Sequence, residues 1–175
     1  PMDDACEISL LKLTNESASP KTISLFSYVE WCLWNADDDM KNFQRNLNTG
    51  EVEIVDSAIF HKTEYRERRS HYAVYAVNAK INGFDTDRDA FLGACRGNSL
   101  PEAVEKGACT NSVASGWSPI AAHQIDLTLA PGETRSFVFV LGYIETTAEN
   151  KWESPGVINK KPAFEMIGKY QTDAD

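Results

Sequence analysis

Cysteine is scarce in this chain: Cys6, Cys32, Cys95 and Cys109 lie far apart, and no two have the C-x-x-C spacing. A disulfide scaffold is denser than this, so the thiols are expected to be reduced and the protein cytoplasmic. Positive charge is also short, with 17 Lys and Arg against 26 Asp and Glu, a net charge of −9. No basic face is left to displace counterions from phosphates, which argues against nucleic acid and anionic membrane surfaces as partners. The acidic balance reads as a solubility feature. No apolar run approaches the roughly 20 residues of a transmembrane helix. Pro1-Met2-Asp3-Asp4 has neither the basic start nor the apolar stretch of a signal peptide. There is no G-x-S-x-G elbow, no G-x-x-x-x-G-K phosphate loop and no motif pairing a Cys with a His. Cys32 and Cys95 therefore read as buried small hydrophobes rather than nucleophiles. Asn15-Glu16-Ser17 has the form of a glycosylation acceptor, and a single match carries no weight.

What is present is ordinary for one globular domain: 175 residues, 42% hydrophobic and 25% charged. Strand periodicity dominates. Residues 6–13 alternate, a polar turn follows at 15–20, and residues 21–34 return as a strand with apolar residues on both faces, so the two are expected to form an antiparallel hairpin. Residues 51–61 and 71–81 are further strands, the first opened by the turn signal Asn48-Thr49-Gly50 and the second closed by Asn82-Gly83. A second hairpin is expected from residues 123–129 and 135–144, joined by Ala130-Pro131-Gly132-Glu133. Residues 84–119 read as a long Gly-, Asn- and Ser-rich loop region with a short helix at 101–106, since Pro suits a first helical turn. Residues 161–170 form an amphipathic helix with Phe164, Ile167 and Tyr170 inward. The fold class is all-β, an antiparallel sandwich with a short C-terminal helix. Residues 5–13 need more strand partnering than the chain is expected to supply in full, and the final helix has little to pack on, so the chain is expected to be a piece of something larger.

His61 and His71 flank a charged run with Glu64 and Glu67, but zinc sites on paired histidines need a different spacing. A solvated turn laced with ion pairs is the expected reading. Asp85-x-Asp87-x-Asp89 mimics the start of a calcium loop, yet Ala90 and Arg96 stand where Gly and Glu are required, leaving only an irregular cation site open. Asp37, Asp38, Asp39 and the region of Glu64 are candidates for paired-carboxylate chemistry, though three adjacent aspartates more often cap a turn. Trp31 to Asn46 differs in kind, joining a Trp-rich strand end to Asn, Gln, Asp and Arg. Aromatic rings match the apolar faces of sugars, and amide and guanidinium forks match their hydroxyls. Composition leaves two readings open, a sugar contact or a loop that packs the domain.

Several segments together resemble the amino-terminal domain of cellobiose phosphorylases. They are Tyr28-Val29-Glu30-Trp31-Cys32-Leu33-Trp34-Asn35, Asn42-Phe43-Gln44-Arg45-Asn46, Thr49-Gly50-Glu51-Val52-Glu53, His61-Lys62-Thr63-Glu64-Tyr65-Arg66-Glu67-Arg68-Arg69, Gly83-Phe84-Asp85-Thr86-Asp87-Arg88-Asp89, Asn111-Ser112-Val113-Ala114-Ser115-Gly116-Trp117, Trp152-Glu153-Ser154 and Asn159-Lys160-Lys161. The resemblance implies a galactose-mutarotase-like super-sandwich, with residues 1–148 in the sandwich and 149–175 beginning a helical linker toward an α/α barrel. It implies a cytoplasmic homodimer that converts cellobiose and phosphate into α-glucose 1-phosphate and glucose with inversion. The general acid lies in the barrel, so no catalytic residue is expected in this chain, which is inactive alone, and neither metal nor cofactor is expected. By the same resemblance Gln44 and Arg45 reach the acceptor-glucose subsite of the neighbouring subunit and orient its hydroxyls. Related disaccharides remain open as substrates. So do two other readings, a stand-alone carbohydrate-binding module and a purely structural dimerisation domain.

Overall fold

A computed structural model describes residues 1–31, 50–62, 70–116 and 119–172. Among them, β1 (Cys6–Thr14), β9 (Thr134–Ile144), β5 (Tyr72–Val77), β4 (Ala58–His61), β3 (Gly50–Val55) and β7 (Ser115–Gly116) form a six-stranded sheet in that order. A three-stranded sheet has the order β2 (Lys21–Glu30), β8 (Pro119–Leu129), β6 (Gly83–Asp87). Alternation along each strand sends one set of side chains between the sheets. Ile59, Tyr75, Val77, Ala121, Ile125, Leu127, Leu129, Phe137 and Phe139 make that inner core.

Both sheets are also covered on their outer faces. Ala58, Phe60, Tyr72, Val74, Val138, Val140 and Ile144 form a second core beneath helix α3 (Lys161–Gly168) and the small β10–β11 hairpin (Trp152–Ser154, Val157–Ile158). Gly142 permits the close approach, because a Cβ there would overlap the Met166 methyl. Helices α1 (Arg88–Leu92) and α2 (Glu102–Lys106) cover the outer face of the smaller sheet, where Phe91, Leu92 and Ala103 pack with Ile120, Ala122, Phe26 and Tyr28. The double-sided apolar pattern expected of the second strand is therefore real: Leu25 and Val29 face the inner core, and Phe26 and Tyr28 face α1.

Neither expected hairpin forms. β1 pairs with β9 and β2 with β8, so the turns at 15–20 and 130–133 carry the chain from one sheet to the other. The apolar faces of β8 and β9 meet across the core instead of lying side by side in one ladder, and alternation looks the same in both arrangements. The two crossings are tied together by Asn15, which is 5% exposed. Its amide donates to Ser19 O and Leu129 O, both at 2.9 Å, and its carbonyl accepts from the Ser17 N–H and hydroxyl. Its backbone exchanges bonds with Gly132 and Glu133. The acceptor motif seen at Asn15 in the sequence is thus a buried structural joint.

Other expectations are corrected in the same way. Residues 51–61 are two strands, broken where Asp56 takes φ 54° in a tight turn. The 84–119 region holds β6, α1, α2 and β7. β1 has a full partner in β9, and α3 has a surface to pack on, burying Ala163, Met166 and Ile167 while Phe164 stays 40% exposed. Cys95 is exposed, not buried. Cys6, Cys95 and Cys109 are free thiols.

Asn15→Ala is expected to cost about 1–3 kcal/mol, because it strands buried donors and acceptors, and urea unfolding should show a lowered midpoint at unchanged slope. His123, fully buried between the sheets, has its pKa lowered to about 4 by burial, with the Ser57 backbone opposing. The unfolded chain takes that proton near 6.5 while the folded chain resists until about 4, so stability is lost as pH falls through that window. The loss is on the order of 3 kcal/mol at its full extent, and urea midpoints measured from pH 7 to pH 4 should drop less steeply in His123→Gln.

Candidate functional site

The end of the sandwich where β2 stops and β3 begins gathers three of the segments singled out in the sequence. Trp31 follows β2, Gly50 opens β3, and both meet His61 at the end of β4. The Trp31 and His61 rings lie 5.4 Å apart at 31°. A Cβ at Gly50 would overlap Pro119 Cγ and come within 2.8 Å of His61 Nε2. His61 is 5% exposed, so the solvated turn expected there does not extend to it. Burial, reinforced by the charge of Lys151, pushes its pKa down to about 3 and keeps the ring neutral at physiological pH. It acts as an uncharged spacer between Trp31 and Gly50.

Around this spacer lies an ion network. Lys62 Nζ is 3.2 Å from both Glu51 and Glu53 and donates to Gly156 O at 2.5 Å. Glu53 also pairs with Lys160 and accepts from the Ile158 N–H. Burial alone would raise the Glu53 carboxyl, but these donors outweigh it and hold it below the ordinary range. Lys151, fully buried, donates to Lys62 O at 3.1 Å and sits 4.7 Å over the Trp152 ring. The network fastens the 150–160 tail to β3 and β4. Beside it runs an open groove of about 830 Å³ lined by Glu153, Asn159, Lys160, Lys161, Phe164 and Glu165.

A second hub lies on β6. Asp85, with no exposed surface, accepts from the backbone N–H and the hydroxyl of both Thr110 and Ser112, at 2.6–3.1 Å. Thr86 accepts from the Ala114 N–H and donates to Ser112 O. These bonds seat residues 110–114, which lead into β7, and β7 pairs Ser115 and Gly116 with Glu51 and Gly50. Asp87 caps α1 by accepting from the Ala90 N–H at 2.9 Å. The Asp85-x-Asp87-x-Asp89 run is thus divided between a buried anchor and a helix cap. Burial, with Asp85 beside it, pushes the Cys109 thiol up and keeps it protonated.

The sequence-nominated residues fall unevenly on this geometry. Gln44 and Arg45 lie outside the described residues, as do Cys32, Asp37, Asp38, Asp39, Glu64 and Glu67. His71, just before β5, has its Nδ1 2.6 Å from the Tyr143 hydroxyl. Among the described residues no His, Cys, Asp and Glu cluster is arranged to hold a metal, and no helix is long and apolar enough to cross a membrane. Sequence patterning does not mark Gly50 or His61 as structural centres. For Asp85 the signal is its charge inside the strand-like Gly83-Phe84-Asp85-Thr86.

Gly50→Ala is expected to destabilise the chain by about 1–3 kcal/mol through overpacking against Pro119 and His61. Thermal unfolding against an Ala substitution at Gly97, where a Cβ meets nothing within 4 Å, provides the control.

Residues 1–173 match the glycosyl hydrolase 94 supersandwich domain. An N,N'-diacetylchitobiose phosphorylase of Vibrio furnissii is 29% identical over 144 residues, 81% of this chain and 18% of that protein. A second, from Vibrio proteolyticus, is 29% identical over 172 residues, 95% of this chain and 21% of that protein. A solabiose phosphorylase of Paenibacillus borealis is 28% identical over 134 residues, covering 75% and 17%. The chain spans about a fifth of the length of these curated relatives. Its two packed antiparallel sheets agree with the matched domain, and the chain belongs to the glycosyl hydrolase 94 supersandwich family.

Proposed function

We propose that this chain is the sandwich portion of a disaccharide phosphorylase, acting on cellobiose and phosphate with inversion to give α-glucose 1-phosphate and glucose. The match over residues 1–173, together with relatives named as phosphorylases, supports a disaccharide phosphorylase, and cellobiose as the sugar rests on the sequence resemblance of segments such as 28–35 and 42–46. Phosphate arrives already anionic and needs no base to activate it, so one general acid outside this chain suffices. In this reading Gln44 and Arg45 orient the acceptor sugar at the partner subunit's active site in a cytoplasmic homodimer. Residues 149–175 begin the connection to the catalytic barrel. A second reading, N,N'-diacetylchitobiose as the disaccharide, is supported by the names of two relatives.

Phosphate-dependent cleavage by the full-length enzyme, assayed on cellobiose, N,N'-diacetylchitobiose and solabiose, separates the substrates. The fastest kcat/KM is expected on cellobiose. Loss of a charged donor to a sugar hydroxyl costs about 1.5–3 kcal/mol, so Arg45→Ala should raise the acceptor-glucose KM about tenfold or more in the synthetic direction. An unchanged acceptor KM sinks the role of Arg45. Tight binding of cellobiose by the isolated chain would favour a self-sufficient sugar-binding module instead.

A further inference from the structure

Gly83-Phe84-Asp85-Thr86-Asp87-Arg88-Asp89 stands out in the sequence, and the proposed chemistry leaves it without a task. It lies on β6 and the start of α1, and it reaches two separate places. Toward β2, Arg88 Nε donates to Glu30 Oε1 at 3.1 Å, and the same oxygen accepts from the Tyr28 hydroxyl at 2.5 Å. Phe91, one turn on, stacks on Tyr28 with ring centroids 5.3 Å apart. These contacts fix the last residues of β2, immediately before Trp31. Toward β3, Asp85 and Thr86 seat residues 110–114, β7 continues from them, and β7 pairs with Gly50 and Glu51. Asp87 lies opposite Pro119, whose ring leaves no room for a Cβ at Gly50. His61 fills the space between Trp31 and Gly50.

We propose that Gly83–Gly93, with residues 110–116, is a positioning frame that sets the separation and direction of Trp31 and Gly50, the two points between which Gln44 and Arg45 lie in sequence. This rests on the acceptor-sugar reading of those two residues. A role in bulk stability explains the Asp85 hub but not the Glu30–Arg88 arm. Both side chains of that pair are well exposed, 52% and 36%, and exposed pairs contribute little to folding. What the arm supplies is direction: Tyr28 and Arg88 both donate to one carboxylate oxygen of Glu30 at the strand terminus. Arg88 and Asp85 touch no substrate in this scheme and act only through the residues they hold. Since small displacements of orienting groups cost far more in substrate handling than in stability, the frame should be visible in acceptor kinetics first.

The test compares Arg88→Gln, Ser112→Ala and Arg88→Lys in the full-length enzyme, each also placed on an Arg45→Ala background, with Tm recorded for all. Arg88→Gln and Ser112→Ala are expected to raise the acceptor-glucose KM about three- to tenfold, leaving the α-glucose 1-phosphate KM and kcat within about twofold. Arg88→Lys, which retains the charge, should recover at least half of the effect. On the Arg45→Ala background the same substitutions should add nothing further, as residues acting through one another do. A lowered kcat at unchanged acceptor KM, a parallel rise of both KM values, or full additivity with Arg45→Ala overturns the frame. Acceptor kinetics that respond to Arg45→Ala but not to the frame variants remove the frame and leave the acceptor reading standing. Acceptor kinetics indifferent to Arg45→Ala remove both.

Discussion

The Asp85 carboxylate is the interaction on which the loop-bearing end of the sandwich depends. A charge with no exposed surface is costly unless its lone pairs are filled, and here two hydroxyls and two backbone N–H groups fill them. The satisfaction is mutual, since residues 110–114 have no regular ladder of their own to absorb those N–H groups. β7 is only Ser115–Gly116 and would not hold its place by two residues of pairing alone. One buried anion therefore extends the order of β6 through an irregular stretch to the far edge of the other sheet.

The inter-sheet crossings solve a different problem. A strand that changes sheet must still satisfy its backbone at the corner. Asn15 does this on one crossing while bonding to the other through Gly132, Glu133 and Leu129. The inner core can then be built from facing strands that share no ladder, such as β8 and β9. His123, Ser27 and Tyr75 place a polar spot within this apolar layer, with the imidazole stacked on the Tyr75 ring at 5.0 Å. At the open end the second buried imidazole, His61, remains neutral for the same reason, desolvation.

The fold class was legible because alternation is a local property, and so was the two-faced burial of β2. Strand partners were not. Whether a tight turn closes a ladder or bridges two sheets depends on what lies beyond each strand, and neither Asn15 nor Pro131-Gly132 encodes that. The break at Asp56 was hidden because apolar residues continue on both sides of it. α1 leaves no mark in the sequence because its five residues are too few for a helical period to show. At the candidate site the resemblance nominates Gln44 and Arg45, whereas among the residues that shape its surroundings only Asp85, a charge inside a strand-like run, leaves a trace in the sequence, and Gly50 and His61 carry their information only in three dimensions. A glycine that excludes a Cβ and a histidine that excludes water have no pattern in sequence.

The pairing of β1 with β9 joins Thr14 to Thr134, and that of β2 with β8 joins Thr22 to Thr128. Contact order is accordingly high, the regime of slow folding. On a ribosome adding roughly 5–20 residues per second, the first two strands would wait on the order of ten seconds for partners to be synthesised. During that interval their apolar residues, among them Leu11, Leu13, Leu25 and Val29, lack the β8 and β9 partners of the folded chain and are open to chaperones or to other nascent chains. β1 and β2 thus depend on strands made 120 and 106 residues later.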